Sequence, residues 1–251
     1  MPLDEEIRLE NDMNVAVIFA GGTGTRMDLK DKPKQFLMVH GKPIIVHTIE
    51  IFNSHPQIDG IVVVCLENWI SYMEELQYRY RLDKIIKIVP GGETGQLSIY
   101  NGLVATEQYY SKEETIVLIH DGVRPIITHD LISANIETVK RCGSAITCSQ
   151  ANETFVVLDN NDEVSRIPER NKSRCAKAPQ SFWLKDILEM HKKALSEGIN
   201  NMIDSCTLMN YYGVKPAITE CGTENIKITT PDDFYIFRAL YDARENQQLL
   251  K

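Results

Sequence analysis

A glycine-rich turn with two nearby cations is the first part of the sequence that could do chemistry. It spans residues 20–27 and carries Arg26, and Lys34 follows shortly after it. Its glycines are Gly21, Gly22 and Gly24. Because small residues let backbone N–H groups approach an anion closely, this pattern predicts a clamp for a triphosphate. A glycine turn with two solvated cations is the alternative, since a single glycine-rich loop is a weak motif.

Three later loops also carry groups that bind nucleotides or metals. Gly92 and Ser98 lie around a turn that could read the edge of a base, and a plain turn before a helix is the alternative. Asp121 directly follows a buried strand, where a carboxylate could hold Mg²⁺ on phosphate oxygens or simply form a turn. Lys227 lies between two isoleucines of a predicted strand, so its ammonium either meets a phosphate or reaches solvent.

Short apolar runs alternate with helical patterns along most of the chain. The predicted strands cover residues 15–19, 61–65, 85–89, 115–119, 144–148, 215–220 and 225–228. The predicted helices cover residues 69–80, 98–109, 129–142, 184–195 and 204–212, and two more begin at Pro43 and Pro231. This alternation predicts βαβ units and a mostly parallel sheet, and the loops described above would meet at its carboxyl edge.

Residues 150–172 interrupt this alternation. Two strand-like runs, residues 153–158 and 163–167, flank a polar segment and predict a β-hairpin. The central sheet has little room for such a hairpin. We therefore expect it to protrude as an arm and to pack on a second subunit.

Composition limits the classes of protein that are possible. The chain has 251 residues, 43% of them hydrophobic, and a formal net charge of −8. We expect one domain at residues 14–251 behind a flexible N-terminal extension at residues 1–13. The negative charge argues against a nucleic-acid partner, and no apolar run is long enough for a membrane span. Six cysteines without metal-ligand spacing, behind an acidic N-terminus, indicate a cytoplasmic protein.

Six blocks of sequence occur in the order typical of one enzyme family. They are Ala20-Gly21-Gly22-x-Gly24-x-Arg26-Met27, Pro33-Lys34-Gln35-Phe36, Gly91-Gly92 with Ser98, His120-Asp121-x-x-Arg124-Pro125, Pro179-Gln180-x-Phe182 and Asn225-Ile226-Lys227-Ile228-Thr229. Together they resemble the CTP-dependent cytidylyltransferases of sugar-alcohol phosphates, from Met13 to Ala239. The resemblance implies a Rossmann-like α/β fold, in which helices cover both faces of a mostly parallel sheet. It also implies a homodimer whose protruding arms reach the partner's active site.

The resemblance also implies roles for individual residues. The implied catalytic residues are Arg26 and Lys34 at the CTP phosphates and Lys227 at the reacting phosphate. The implied nucleotide-binding residues are Ala20, Gly21, Gly22, Gly24, Gly92, Glu93, Ser98 and Asp121. The implied acceptor-binding residues are Arg170 from the other subunit's arm, Thr154 and Asp204. Asp121 is also the implied ligand of Mg²⁺.

The implied reaction joins CTP and a polyol phosphate into a CDP-polyol and releases pyrophosphate. The acceptor's own phosphate is the nucleophile, and its second pKa of about 6 makes it largely dianionic at neutral pH. No general base is then required, which agrees with the lack of a convincing histidine or glutamate base in these loops.

Three positions depart from the methylerythritol branch of the family. Ala178 and Ile203 stand where threonines of the polyol pocket are usual, and Gly95 stands in place of an arginine. Residues 120–128 are closer to the ribitol-phosphate branch, which would suggest a role in a surface polymer such as teichoic acid or capsule. We therefore expect D-ribitol 5-phosphate as the acceptor. The alternative is 2-C-methyl-D-erythritol 4-phosphate, used in isoprenoid synthesis.

Two other functional classes stay open at this point. A nucleotide-binding regulator could keep the fold without the chemistry, and the three departures motivate that hypothesis. Intact Lys34, Asp121 and Lys227 count against it. A dinucleotide-dependent dehydrogenase is disfavoured because Met27 occupies the position of the third glycine in the dinucleotide fingerprint.

Overall fold

A seven-stranded sheet forms the centre of the molecule in the computed structural model, which describes residues 12–21 and 32–249. The strands in the described residues are Met13–Ala20 (β1), Met38–Val39 (β2), Lys42–Pro43 (β3), Gly60–Cys65 (β4), Ile85–Pro90 (β5), Thr115–Asp121 (β6), Ser144–Gln150 (β7), Val157–Leu158 (β8), Val164–Arg166 (β9), Arg174–Trp183 (β10) and Ile218–Glu220 (β11). The order in the central sheet is β11-β7-β10-β6-β1-β4-β5. All its neighbouring pairs are parallel except those of β10 with β6 and β7, so the predicted mostly parallel sheet is confirmed.

Helices connect the strands of the sheet. They are Ile44–Ser54 (α1), Ile70–Tyr80 (α2), Gly95–Glu107 (α3), His129–Cys142 (α4), Leu184–Ser196 (α5), Ser205–Tyr211 (α6) and Pro231–Leu249 (α7). Local signals explain their ends: Thr128 accepts a hydrogen bond from the amide of Leu131 at the start of α4, and Gly143, with φ of 82°, ends it. None of the helices in the described part of the chain combines the length and apolar character that a membrane crossing requires.

The helices cover both faces of the sheet. Ala16 and Ile18 of β1 pack in an apolar cluster with residues of α1, α2 and α4. Val17, between them in sequence, packs in a second cluster with residues of α3, α5 and α6. Because successive side chains of a strand point to opposite faces, β1 is buried on both sides, as its continuous apolar run predicted.

The sequence did not predict β10, the antiparallel strand between β6 and β7. Its apolar pattern is broken by polar residues and by Pro179, which has no N–H for a strand ladder. Its pairing with β7 shifts register between Ala176 and Gln180. The strand nevertheless places Gln180 opposite Ile119, close to the carboxyl end of β6.

The predicted strand at residues 225–228 was wrong. The segment is irregular, and the backbone amide of Ile228 donates to the carbonyl of Val123 at 2.9 Å. Ile228 packs in a small cluster with Val123 of the loop after β6 and Phe237 of α7. The alternation of apolar residues therefore reflects burial under α7 rather than pairing in the sheet.

The N-terminal boundary of the predicted domain and the predicted hairpin differ from expectation in small ways. β1 begins at Met13, inside the predicted extension, and residues 1–11 lie outside the described residues. Within residues 150–172, β8 and β9 pair antiparallel but are shorter than the predicted hairpin strands. Phe155, Val157 and Leu158 are exposed along this hairpin.

Candidate active site

Two adjoining cavities open at the carboxyl edge of the sheet, where β1, β5 and β6 end. Phe19, Gly95, Asp121 and Lys227 line both cavities and form the boundary between them. The glycine cavity, about 340 Å³, is lined by the loops that contain Gly21 and Gly92. The β10 cavity, about 350 Å³, is lined by residues 176–178 and 180 of β10 and by residues 203–205.

Close packing of two loops shapes the glycine cavity. The amide of Gly92 donates to Oγ of Ser98 at 3.1 Å, and that hydroxyl donates to the carbonyl of Thr94 at 2.9 Å. A Cβ on Gly21 would lie 3.2 Å from Oγ of Ser98, and one on Gly92 would lie 2.4 Å from Cβ of Leu97. Larger residues would therefore push the loops apart and change the cavity.

The start of α3 holds one of these loops in place. The hydroxyl of Thr94 accepts from the amide of Leu97 at 3.1 Å and caps the helix. Gln96 donates to the carbonyl of Ile199 at 2.9 Å and accepts from the amide of Met202 at 2.8 Å. The sequence analysis missed Thr94 and Gln96, although a threonine just before a helix is a capping signal.

Lys34 reaches the glycine cavity from a short 3-10 turn, Lys34–Phe36. Gln35 anchors this turn because its Nε2 donates to the carbonyl of Ala20 at 2.6 Å. Phe36 is fully buried and stacks on Trp69 with ring centroids 4.8 Å apart. The turn is thus tied both to the end of β1 and to the core.

The structure brings together most of the predicted nucleotide-binding residues. The residues that line the glycine cavity include Ala20, Gly21, Lys34, Gly92, Glu93, Ser98, Asp121 and Lys227. The predicted residues Gly22, Gly24 and Arg26 lie outside the described residues. The roles in binding remain predictions.

Asp121, at the end of β6, holds the charged centre between the cavities. Its Oδ1 accepts from Nζ of Lys227 at 2.6 Å, and its Oδ2 accepts from Nε of Arg124 at 3.2 Å. Burial by itself would raise the pKa of Asp121, but the charges of Lys227 and Arg124 outweigh burial and lower this pKa. Asp121 therefore stays ionised and fixes the ammonium of Lys227, whose side chain is still 42% exposed.

A buried network extends from this centre to β10. Nη1 of Arg124 donates to the carbonyl of Asn225 at 2.6 Å, and Nδ2 of Asn225 donates to the carbonyl of Ala178 at 2.8 Å. The sequence analysis gave Asn225 no role of its own. Its position between Arg124 and β10 shows that it couples the charged centre to the wall of the β10 cavity.

Asp204 lines the β10 cavity, but both of its carboxylate oxygens have protein partners. Oδ1 accepts from the amide of Thr207 at 2.7 Å and caps α6, and Oδ2 accepts from Nε2 of Gln180 at 2.9 Å. Oε1 of Gln180 in turn accepts from the amide of Cys206 at 2.8 Å. The pair therefore holds α6 against β10, while Ile203 at the same cavity is 91% exposed.

The structure does not bring Arg170 and Thr154 to these cavities within one chain. Arg170 lies in a 3-10 turn after β9, and its Nη1 is 3.4 Å from the carbonyl of Asn152. It lines a separate cavity near the base of the hairpin. Thr154 is exposed on the hairpin side of the molecule.

His120 is buried beneath the centre and does not offer a base to either cavity. Its Nε2 is 3.0 Å from the carbonyl of Arg124, and its ring lies 5.1 Å from that of Phe52. Burial lowers the pKa of His120 to about 4, so the ring is neutral at physiological pH. This agrees with chemistry that needs no histidine base.

The donor set at Asp121 fits a magnesium ion that is shared with a substrate. Mg²⁺ is commonly held by one or two carboxylates together with substrate phosphates. Asp121 supplies one oriented and ionised carboxylate on the boundary of the two cavities. Its ion pairs with Lys227 and Arg124 leave lone pairs on both oxygens, so Asp121 could hold the ion once phosphates are present.

Comparison with known proteins gives consistent results over nearly the whole chain. The family described as "IspD: 2-C-methyl-D-erythritol 4-phosphate cytidylyltransferase" matches residues 14–242. A ribitol-5-phosphate cytidylyltransferase of Streptococcus agalactiae is 55% identical, with 94% of this chain and 99% of that protein covered. A 2-C-methyl-D-erythritol 4-phosphate cytidylyltransferase of Clostridium acetobutylicum is 37% identical, with 91% and 97% covered. The crystal structure of 4-diphosphocytidyl-2C-methyl-D-erythritol synthase from Anaerococcus prevotii superimposes with a TM-score of 0.80 at 26% identity, covering 92% of this chain and 97% of that one.

Proposed function

Because the chain belongs to the 2-C-methyl-D-erythritol 4-phosphate cytidylyltransferase family, we propose that it joins CTP to D-ribitol 5-phosphate and releases CDP-ribitol and pyrophosphate. Family membership confirms the resemblance found in the sequence. The observation that carries the choice of acceptor is the 55% identity to a ribitol-5-phosphate cytidylyltransferase across nearly the whole chain. Identity to the methylerythritol 4-phosphate cytidylyltransferase is lower, at 37%, so methylerythritol 4-phosphate is kept as the alternative acceptor.

The two cavities suit the two substrates. CTP would occupy the glycine cavity, where backbone groups around Gly21 and Gly92 can approach the nucleotide and Lys34 supplies positive charge. The polyol phosphate would occupy the β10 cavity with its phosphate at Lys227. The reacting groups would then meet at the boundary, where Asp121 and Lys227 face both cavities.

Catalysis in this arrangement would consist of positioning and charge stabilisation. A dianionic acceptor phosphate attacks the α-phosphate of CTP without a general base, and pyrophosphate leaves. Lys227, held by Asp121 at 2.6 Å, would stabilise the negative charge that develops around the α-phosphate. Lys34 and Arg26 would stabilise the phosphates that leave, with Arg26 assigned from the sequence alone.

We also propose that the reaction requires Mg²⁺ at Asp121. When bound, the ion would neutralise charge on the phosphate oxygens of the substrates. The supporting observation is the ionised, oriented carboxylate of Asp121 on the boundary of the two cavities.

The hairpin suggests a homodimer with exchanged arms. Apolar side chains of the hairpin, including Phe155 and Ile167, are exposed, and so is Ile203 at the β10 cavity. Exposed apolar surface of this kind often marks a contact with another protein. In a dimer, the partner's hairpin would cover Ile203 and bring Arg170 to the acceptor phosphate, which Arg170 does not reach within its own chain.

Pyrophosphate release tests the proposed function. The purified protein is incubated with CTP and Mg²⁺, and D-ribitol 5-phosphate or 2-C-methyl-D-erythritol 4-phosphate is added in parallel. We expect turnover with the ribitol acceptor and little with the other. Turnover with the methylerythritol acceptor alone would overturn the acceptor assignment, and turnover with neither would favour a nucleotide-binding regulator.

The same assay tests the metal proposal. We expect EDTA to abolish pyrophosphate release and an excess of Mg²⁺ to restore it. An undiminished rate in EDTA would contradict a role for a divalent cation at Asp121.

A further inference from the structure

The polar residues of the β10 cavity are of two kinds, and most are already paired within the protein. Asp121 and Arg124 pair with each other, and Arg124 also binds the carbonyl of Asn225. Gln180 and Asp204 pair with each other, and each also accepts from a backbone amide of α6. Partners within the protein therefore hold the side chains of these four residues in place.

Ser205 differs because its hydroxyl has no partner among the residues that the structure describes. The residue lines the β10 cavity, is 2% exposed, and its Oγ forms no hydrogen bond with the described residues. A buried hydroxyl without a partner costs free energy, so such groups in native structures call for an explanation. Oγ can move between staggered positions by rotation about χ1, which would bring it to a bound ligand.

Lys177 is the second polar residue of this cavity with unused donors. Its Nζ donates to the carbonyl of Thr223 at 3.1 Å, which engages one of three N–H groups. Around these two residues the cavity is lined by apolar groups such as Ile99, Ile119 and Ala178. Ser205 therefore offers this cavity a hydroxyl without a partner in the described residues, and Lys177 offers two further N–H donors, in addition to the boundary residue Lys227.

We propose that Ser205 and Lys177 bind hydroxyl groups of the polyol acceptor and thereby determine which polyol the enzyme accepts. This inference rests on the proposed function, because it takes the acceptor to be a polyol phosphate. With the phosphate at Lys227, the carbon chain of the acceptor extends into the β10 cavity. Each acceptor hydroxyl both donates and accepts, so one hydroxyl pairs with Oγ of Ser205 and another accepts from Nζ of Lys177.

Steady-state kinetics of Ser205→Ala and Lys177→Met test this proposal. We expect kcat/KM for D-ribitol 5-phosphate to fall about fivefold in Ser205→Ala, the effect of one neutral hydrogen bond. The fall in Lys177→Met should be about tenfold or more, because a charged donor is lost. The KM for CTP should stay unchanged in both variants, since neither residue lines the glycine cavity.

Thr219→Val provides a matched control. Thr219 also has a buried Oγ1 without a partner in the described residues, but it lies on the edge strand β11, outside both cavities. Its kinetics should match those of the wild-type enzyme. A general effect of removing buried hydroxyls would instead change Thr219→Val and Ser205→Ala alike, and that result would overturn the proposal.

Acceptors that lack one hydroxyl sharpen the test. With the wild-type enzyme, kcat/KM for one monodeoxy analogue should be about fivefold lower than for ribitol 5-phosphate itself. With Ser205→Ala, kcat/KM for that analogue and for ribitol 5-phosphate should be nearly equal. Equal losses in both enzymes for every analogue would show that Ser205 binds no acceptor hydroxyl. Lys177→Arg should retain more activity than Lys177→Met, because it keeps a charged donor.

The failure of this inference is distinguishable from the failure of the proposed function. If the wild-type enzyme uses ribitol 5-phosphate and Ser205→Ala remains within twofold of it, the inference fails and the function stands. If the wild-type enzyme uses only methylerythritol 4-phosphate, the variants are measured with that acceptor, and the same criterion applies. An enzyme that turns over neither polyol phosphate overturns both.

Discussion

The glycine cavity and the β10 cavity share one boundary but are built in different ways. The glycine cavity is formed by loops that follow strands, and its shape depends on backbone approach at Gly21 and Gly92. The β10 cavity is formed by side chains that are distant in sequence, such as Gln180 paired with Asp204. One cavity is thus set mainly by backbone conformation and the other mainly by side-chain pairing.

This difference suggests how each half of the site can change. A cavity that binds through backbone groups tolerates little variation where its loops pack closely, because a Cβ added at Gly21 or Gly92 moves a loop. A cavity that binds through side chains changes its preference when single residues change. We infer that the glycine cavity sets the nucleotide and the β10 cavity sets the acceptor, and four predictions test this division.

The largest effect is expected for Lys227, which belongs to both cavities. Lys227→Ala should lower kcat by about 10²- to 10³-fold, because the charge that develops at the reacting phosphate loses its cation. The kcat of Lys34→Ala should also fall by orders of magnitude. Circular dichroism should show that both variants keep the fold. Lys192→Ala is the control, since Lys192 lies 3.6 Å from Glu107 and is half exposed on the surface. Near-normal rates in both active-site variants would contradict the assigned roles.

The next effect concerns the arm and is measured by mixing subunits. Arg170→Ala and Lys34→Ala homodimers should each be nearly inactive, but an equal mixture should recover about a quarter of the wild-type rate. Half of the dimers are then mixed, and each mixed dimer has one complete site if Arg170 acts across the interface. A mixture of Lys34→Ala with Lys227→Ala should recover nothing, because both residues belong to one chain's site. Absence of recovery in the first mixture would mean that each site is built within one chain.

A smaller effect, confined to the nucleotide, is expected for Gly92→Ala. The added Cβ would lie 2.4 Å from Cβ of Leu97, so the loop must shift. We expect the KM for CTP to rise about tenfold while the KM for the acceptor stays within twofold of wild type. Gly95→Ala is the comparison variant: Gly95 also lines the glycine cavity, but a Cβ there meets nothing within 4 Å, so the loop need not shift and the effect should be smaller. Equal rises in the KM for CTP and the KM for the acceptor would contradict the assignment of the two substrates to separate cavities.

The smallest effect is expected for Gln180→Met, which changes only the β10 cavity. The substitution leaves Oδ2 of Asp204 and the amide of Cys206 without their partner, so α6 is held less firmly against β10. We expect the KM for the acceptor to rise about fivefold and the free energy of unfolding to fall by about 2 kcal/mol. The KM for CTP should not change, and a rise in that constant would show that the two cavities are coupled.

Much of the fold was accessible from the sequence because its signals are local. Short, largely apolar segments that alternate with helices predicted five strands of the sheet at residues 15–19, 61–65, 85–89, 115–119 and 144–148, each of which the structure extends by one to three residues. Helix starts after Thr128 and at Pro231 follow from capping and proline preferences. β10 was missed because its polar residues and Pro179 hide the strand pattern, and residues 225–228 were misassigned because burial under a helix gives the same alternation as a strand.

The candidate site likewise has features with local sequence signals and features that depend on contacts between distant segments. The sequence by itself determined the family, the glycine turns and Asp121, because residues at the carboxyl ends of parallel strands collect at one edge of the sheet. Lys34 and Lys227 were identified from the sequence blocks that carry the resemblance, since neither residue directly follows a strand of the sheet. Only the tertiary structure decided that Asp204 is paired with Gln180, that Asn225 links Arg124 to β10, and that Ser205 has no partner in the described part of the chain. Such relations depend on side-chain contacts between segments far apart in the chain, and no local pattern in the sequence encodes which of these groups will meet.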